Sequence, residues 1–142
     1  MKISTKGKYA LCLMTELALN ENGKPISVRD VAGRYGISDK YLEQIVILLN
    51  KAGLVQSSRG AQGGYRLTRE PKEYTVGTVL RLTESSMAPT SCTDCEIRIC
   101  KEKEECITLI LGKKLDEAVK SVVDGITLAE LAKWQDGLTY KA

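Results

Sequence analysis

Histidine is absent from this sequence of 142 residues. The imidazole ring is therefore excluded as a metal ligand, as a general base and as a charge switch near neutral pH. The Cys–His and Ser–His–Asp arrangements of nucleophilic catalysis are excluded with it. The chain also lacks a nucleotide-binding glycine loop and a recognisable acid–base pair, so we predict that the protein is not an enzyme.

Long apolar runs are missing as well. No segment approaches the roughly 18 to 20 residues that a membrane-spanning helix needs, and the start of the chain lacks the apolar core of a signal peptide. The apolar fraction of 43% and the charged fraction of 27% are typical of a soluble globular protein. We therefore expect a cytoplasmic protein with one domain, or one small domain and a helical arm.

Charge is distributed unevenly along the chain. Residues 1–86 hold 13 Lys and Arg against 8 Asp and Glu, whereas residues 87–142 hold 8 against 10. A basic first part joined to a slightly acidic second part indicates that the first part meets a polyanion.

Two helices are predicted at the start of the chain. Residues 4–20 repeat apolar side chains at steps of three and four, the pattern of an amphipathic helix. The lone Cys12 within this segment is interpreted as a small buried hydrophobic residue. Ser27 and Asp30 resemble a capping box that opens a short second helix.

The chain that follows has the spacing of a helix-turn-helix. Gly36 suits the left-handed position after the second helix, and Ser38 can cap a third helix. The small Ala32 allows the two helices to approach each other. The predicted inward stripe of the third helix consists of Leu42, Ile45, Leu48 and Leu49.

A β-hairpin is predicted directly after the third helix. Residues 54–58 and 64–68 have the pattern of strands, and residues 59–63 form the turn between them. A hairpin at this place is typical of a wing, and Arg59 at its tip suits the negative potential of a DNA minor groove. The alternative is a surface hairpin with a solvated arginine.

Three more helices are predicted after the hairpin. Thr75 can cap a short helix that packs on the back of the module, and Thr127 with Glu130 forms a capping box for a last helix through Trp134. Between them, a long amphipathic helix begins at Ile107 and is stopped by Gly125. Its apolar stripe exceeds what one small domain covers, so we expect it to pair with a second copy of the chain.

Four of the five cysteines fall within one short segment, spaced Cys92-x2-Cys95-x4-Cys100-x5-Cys106. In a cytoplasmic protein such clusters are more often metal ligands or redox centres than structural disulfides. Structural zinc usually takes two close pairs, and this segment has one. A redox-active pair of Cys92 and Cys95 and a set of unligated surface thiols are further alternatives.

Three motifs resemble the IscR/NsrR/CymR superfamily of bacterial winged helix-turn-helix regulators. They are SerThrLysGlyLysTyrAla at residues 4–10, IleSerAspLysTyrLeuGluGlnIle at 37–45 and ArgGlyAlaGlnGlyGlyTyrArgLeu at 59–67. The resemblance runs from Lys2 to about Trp134. It implies a mainly α fold with a small β-hairpin wing and a long dimerisation helix. It also implies a homodimer that binds double-stranded DNA at a palindromic operator.

The third helix is then the recognition helix. Glu43 can accept a hydrogen bond from a cytosine amino group, and Gln44 can pair with adenine. Lys40 and Tyr41 suit phosphates, and Arg59 suits the minor groove. The resemblance implies that Glu43 is a specificity switch, because iron–sulfur members carry a glutamate there. A solvated helix face is the alternative for these residues.

Several members of this superfamily hold an iron–sulfur cluster on three cysteines, and Cys92, Cys100 and Cys106 match their places. The usual fourth ligand is a histidine or an acidic residue, where this chain has Leu109 and Lys8. The additional Cys95 is therefore predicted to complete an all-thiolate set for a 2Fe–2S or 4Fe–4S cluster.

These interpretations divide the chain into three parts. Residues 1–86 are the DNA-binding domain, residues 87–106 the cluster-binding loop, and residues 107–142 the dimerisation and C-terminal helices. We predict a transcriptional regulator, most simply a repressor, whose operator affinity follows the state of the cluster. The alternative is a cluster-free regulator of the same superfamily, controlled by thiol oxidation, zinc, a metabolite or a partner protein.

Overall fold

The computed structural model describes residues 2–20, 24–61, 63–90 and 106–141. The helices are α1 (Thr5–Leu19), α2 (Val28–Tyr35), α3 (Asp39–Lys51), α4 (Val76–Thr83), α5 (Ile107–Gly125) and α6 (Leu128–Lys141). Two strands, β1 (Val55–Ser58) and β2 (Gly64–Leu67), lie between α3 and α4, and a short 3₁₀ helix covers Pro71–Glu73. The mainly α architecture with a hairpin wing, predicted from the sequence, is confirmed. None of the helices in the described part of the chain has the length and apolarity to cross a membrane.

The turn between α2 and α3 has the predicted chemistry. Gly36 adopts the left-handed conformation, with φ of 65°, and its N–H bonds to the carbonyl of Ala32. The Ser38 hydroxyl accepts a hydrogen bond from the N–H of Tyr41 at 3.1 Å and so caps α3. Both features are local, because each satisfies backbone groups that a helix end leaves without intrahelical partners.

The main core lies between α1 and the helix-turn-helix. Its buried side chains come mainly from α1, α2, α3, the first residue of β1 and the residue before it. They include Ala10, Leu13, Met14, Val31, Ala32, Leu42, Ile45, Leu49, Leu54 and Val55. The inward stripe of α3 differs from the prediction at one place, since Val46 is buried and Leu48 only half-buried. Cys12 is likewise half-buried, not fully buried as expected.

The wing is an antiparallel hairpin in which Val55 pairs with Leu67 and Ser58 with Gly64. The turn end of β2 is bonded to the segment before α2, because Ile26 and Tyr65 exchange two backbone hydrogen bonds of 2.9 and 2.8 Å. Gly64 permits this approach, since a Cβ there would lie 2.3 Å from the carbonyl oxygen of Ile26. The wing is therefore joined directly to the helix-turn-helix.

The capping box predicted at the start of α2 did not form, and the Ile26–Tyr65 bridge lies there instead. Ser27 is the N-cap residue, as predicted, but its side chain makes no capping hydrogen bond. Its neighbour Ile26 is held by the bridge to Tyr65, so backbone pairing and not a capping box fixes this entry. Asp30 is also shorter than the glutamate that normally completes such a box.

Tyr74 fastens the base of the wing. Its ring is 0% exposed. Its hydroxyl donates to the carbonyl of Leu54 at 2.9 Å and accepts from the N–H groups of Thr68 and Arg69 at 3.1 and 3.0 Å. Leu54 precedes β1 and Thr68 follows β2, so one phenol joins the two chain segments that enter and leave the hairpin.

The C-terminal helices pack on the same module. The predicted capping box of α6 is present: the Thr127 N–H donates to the Glu130 carboxylate at 2.8 Å, and the Glu130 N–H donates to the Thr127 hydroxyl at 3.2 Å. Leu128, at the start of α6, is fully buried in the main core. The end of α5 is held to α4 by two hydrogen bonds from Arg81 to Asp124, at 2.6 and 2.8 Å.

Candidate nucleic-acid interface

The outward face of α3 presents a compact polar surface opposite its buried stripe. Lys40, Glu43 and Gln44 are all exposed, as the sequence predicted. Lys51 continues the same face toward the C-terminal end, because helical residues three or four apart lie side by side. Such a face combines a cation with hydrogen-bonding groups that can contact base edges.

One apolar residue stands on this face. Ile47 lies one turn after Glu43 and is 49% exposed, although the other β-branched residues of α3, Ile45 and Val46, are buried. The sequence analysis missed it. Its spacing could have revealed it, because helical periodicity places Ile47 on the same face as Lys40 and Glu43 and not on the inward stripe.

Tyr41 is turned toward α1. Its ring is half-buried and meets the ring of Tyr9 edge to face, with the centroids 6.2 Å apart. The ammonium of Lys8 lies 5.3 Å from the centre of the Tyr9 ring. This arrangement positions a second cation, which the sequence analysis did not select, near the first turn of α3. A basic residue within the N-terminal motif was the available signal.

The wing and α3 flank a shallow cleft. Its walls include Glu43 and Ile47 from α3, Ser27 and Arg29 at the start of α2, and Gly63 from the wing. Arg29 is largely exposed and lies 3.9 Å from the carboxylate of Asp39. The cleft therefore lies between the polar face of α3 and the hairpin, with Arg29 among its walls.

Arg59 lies where the prediction placed it. It directly follows β1 at the tip of the hairpin and is exposed. The next residue, Gly60, has φ of 121°, a conformation that other residues rarely adopt. A flexible arginine next to small residues can enter a minor groove.

A buried carboxylate sets the position of α2 against α1. Glu16 is only 5% exposed. Arg34 donates a hydrogen bond to this carboxylate, and the Tyr35 hydroxyl donates another at 2.9 Å. Burial, together with the Glu16 charge, raises the pKa of Tyr35 well above its ordinary value, so its hydroxyl stays a donor. Burial also raises the pKa of the Cys12 thiol, which disfavours its reactive thiolate.

Of the cysteine segment, Cys106 is among the described residues. Cys92, Cys95 and Cys100 lie outside them. Cys106 is the N-cap residue of α5, is half-buried, and has its sulfur 2.8 Å from the Thr108 hydroxyl oxygen. The positive end of a helix dipole favours a thiolate, the form in which cysteine binds iron. This donor therefore fits the predicted role.

An uncovered apolar stripe runs along α5, with most of its members in the first half of the helix. Its exposed members are Ile107, Ile110, Leu111, Leu115 and Val122, which are 42–79% exposed. Trp134 and Leu138 of α6 are also exposed. Contiguous apolar surface of this kind marks an interaction site more often than scattered single residues do.

A short helix, a following helix with a polar outward face and a hairpin bonded to the segment before them define a winged helix-turn-helix DNA-binding protein. The sequence profile of the Rrf2 family, described as an iron-dependent transcriptional regulator, matches residues 3–134. The chain belongs to the Rrf2 family of transcriptional regulators. This agrees with the superfamily suggested by the sequence motifs and with the prediction that the protein is not an enzyme.

The relatives are similar over nearly the whole chain. The transcriptional regulator CymR of Bacillus subtilis (strain 168) is 42% identical over 137 residues, 96% of this chain and 94% of that protein. IscR of Aliivibrio salmonicida (strain LFI1238) is 41% identical over 131 residues, 92% of this chain and 77% of IscR.

Solved structures give the same result. The structure of CymR, the global cysteine regulator of B. subtilis, superposes with a TM-score of 0.82 at 40% identity, covering 94% of this chain and 98% of that one. The oxidised form of Staphylococcus aureus CymR superposes with a TM-score of 0.74 at 40% identity, covering 93% and 96%.

Proposed function

We propose that the protein is an operator-binding repressor that acts as a homodimer, with an affinity for DNA controlled by an iron–sulfur cluster in the cysteine segment. The proposal rests chiefly on one combination. Four thiols lie immediately before a helix with an uncovered apolar stripe, in a chain of a DNA-binding family. Because it acts on chromosomal operators, we also propose a cytoplasmic location.

DNA binding is assigned to α3 and the wing. Glu43 and Gln44 contact base edges in the major groove, whereas Lys40 contacts phosphate. Arg59 enters the adjacent minor groove. Tyr41 packs on Tyr9, so its contribution is limited to its hydroxyl and to holding the first turn of α3 in place.

The occupant of the apolar stripe on α5 is a second copy of the chain. Burying an aliphatic side chain contributes about 1.5–3 kcal/mol when it is complete. Several half-exposed side chains on one helix therefore give a substantial gain on self-association. A symmetric pair of α5 helices also presents two recognition helices, which is what a palindromic operator requires.

The cluster is assigned to Cys92, Cys95, Cys100 and Cys106. When bound, it supplies a centre whose integrity depends on iron supply and on oxidants. Cys106 begins α5, and the Arg81–Asp124 pair fastens the other end of α5 to α4. These contacts give the segment a direct mechanical connection to both the dimer helix and the DNA-binding module. The expected coupling between such sites is about 1–3 kcal/mol, which corresponds to roughly 5- to 150-fold in operator affinity.

Anaerobic reconstitution tests the cluster assignment. The full-length protein is reconstituted with iron and sulfide, and its visible absorption, iron content and sulfide content are measured. We expect a coloured protein whose cluster is lost or short-lived in Cys95→Ser. Cys12→Ser is the matched control, because this thiol lies outside the segment and should leave the spectrum unchanged. A colourless, iron-free wild type would overturn the assignment, and a normal spectrum in Cys95→Ser would remove Cys95 from the ligand set.

Direct thiol control is the second candidate. The similarity to CymR favours it, since a relative with a TM-score of 0.74 has been solved in an oxidised form. On this alternative, Cys92 and Cys95 form a reversible disulfide. Iron-free wild-type protein whose operator affinity changes with mild oxidant, and no longer does so in Cys95→Ser, would support it over the cluster.

A further inference from the structure

Ile47 is an exposed apolar residue on a face of α3 where a polar residue could stand equally well. The residues that share its face, Lys40, Glu43, Gln44 and Lys51, are all polar or charged. Within the part of the chain that the structure describes, Ile47 belongs to neither of the two hydrophobic core clusters. A branched aliphatic side chain there contributes nothing to the core and limits helix stability slightly. Its side chain is therefore available to a partner that meets this face of α3.

The residues around Ile47 indicate which partner meets this face. It lines the cleft together with Glu43, and the other walls include Arg29 and Ser27 at the start of α2 and Gly63 of the wing. With α3 in a major groove and the wing in the neighbouring minor groove, the cleft faces the strand between the two grooves. This step rests on the proposed DNA-binding role of α3. Ile47 lies on the α3 side of the cleft, on the helix face that carries Glu43 and Gln44, so it meets base edges in the major groove. Arg29 and Ser27 then serve the phosphates of the strand.

Among the groups that base edges present in the major groove, one is a suitable partner for an isoleucine side chain. In the major groove, the edges of the bases carry hydrogen-bond donors and acceptors, with a single apolar group, the 5-methyl of thymine. Against any other base, Ile47 would remove water from polar atoms without replacing their hydrogen bonds. We propose that Ile47 contacts the 5-methyl group of a thymine and makes the protein select thymine at one position of each operator half-site.

The test is a coupling measurement between one side chain and one methyl group. An operator is first selected from a library of random DNA duplexes by the full-length wild-type protein. Each thymine of its half-site is then replaced singly by deoxyuridine, a change that removes only the methyl. We expect one position at which wild-type Kd rises roughly fourfold. In Ile47→Ala, the same replacement should leave Kd unchanged, and a new selection should lose the preference for thymine there.

Leu19→Ala is the matched control, because it also truncates an exposed aliphatic side chain but lies at the end of α1. It should keep the full deoxyuridine effect. If the wild type binds its operator well but no deoxyuridine replacement raises Kd, the thymine contact is overturned while the proposed DNA-binding role of α3 stands. Equal weakening of Ile47→Ala on every duplex would also overturn it, since the contact would then be to the backbone. Failure of the wild type to select any sequence would instead refute the proposed recognition face.

Discussion

Replacing Tyr74 by phenylalanine removes a single oxygen atom from the attachment of the wing. The ring keeps its place in the core, so no cavity is formed and the packing is nearly unchanged. The carbonyl of Leu54 and the N–H groups of Thr68 and Arg69 lose their shared partner. A weaker backbone bond of 3.4 Å between Thr68 and Leu54 remains. A buried group left without a partner costs about 1–3 kcal/mol, and we therefore expect a total loss of about 2–3 kcal/mol.

Chemical denaturation with urea measures this loss at equilibrium. The midpoint should fall at an unchanged slope, because the surface exposed on unfolding is the same. The melting temperature should drop by roughly 6–10 °C. Tyr65→Phe is the matched control, since it removes a hydroxyl from a half-exposed ring on the neighbouring strand and should be nearly neutral. A loss below about 0.5 kcal/mol in Tyr74→Phe would refute the idea that this hydroxyl holds the wing.

Three further predictions concern the surfaces. Arg59→Ala should weaken operator binding and reduce the slope of log Kd against log salt by about 1. Binding equal to wild type in a salt titration would refute the wing contact. Lys133→Ala on α6 is the control. Leu111→Asp should give a monomer by analytical ultracentrifugation, because it places a charge on the apolar stripe. Lys113→Asp, on another side of α5, should leave the dimer intact. A dimeric Leu111→Asp would disprove the stripe as the interface. The Arg81 hydrogen bonds lower the pKa of Asp124 below its ordinary value of 3.8, so this carboxylate contributes stability above that pH and loses it as the pH falls through its folded-state pKa. The difference in unfolding free energy between wild type and Asp124→Asn should thus be at most about 1 kcal/mol at neutral pH and disappear in acid, and a difference that grows in acid would contradict this assignment.

Features encoded by neighbouring residues were predictable from the sequence. The left-handed Gly36, the Ser38 cap and the Thr127–Glu130 box each depend on backbone groups within a few positions. The polar face of α3 followed from helical periodicity. Recognition of the motifs at residues 4–10, 37–45 and 59–67 then gave the arrangement of the whole chain.

Features that join distant residues were not predictable in this way. The Tyr74 hydroxyl reaches Leu54 across 20 positions, and the Ile26–Tyr65 bridge spans nearly twice that interval. The same bridge explains why the capping interaction expected at Ser27 did not form. Glu16 had a signal that was overlooked, because a glutamate between apolar positions of α1 must find a partner once it is buried.

The two backbone hydrogen bonds between Ile26 and Tyr65 also bear on the entropy of DNA binding. A hairpin joined to the rest of its module only at its two ends would have to give up much of its conformational freedom when it docks. Here β2 is already held close to the turn, so the cost falls mainly on the tip around Arg59 and Gly60. Amide hydrogen exchange should follow the same division: the Ile26 and Tyr65 amides should exchange only on global unfolding, and those at the tip within the native state.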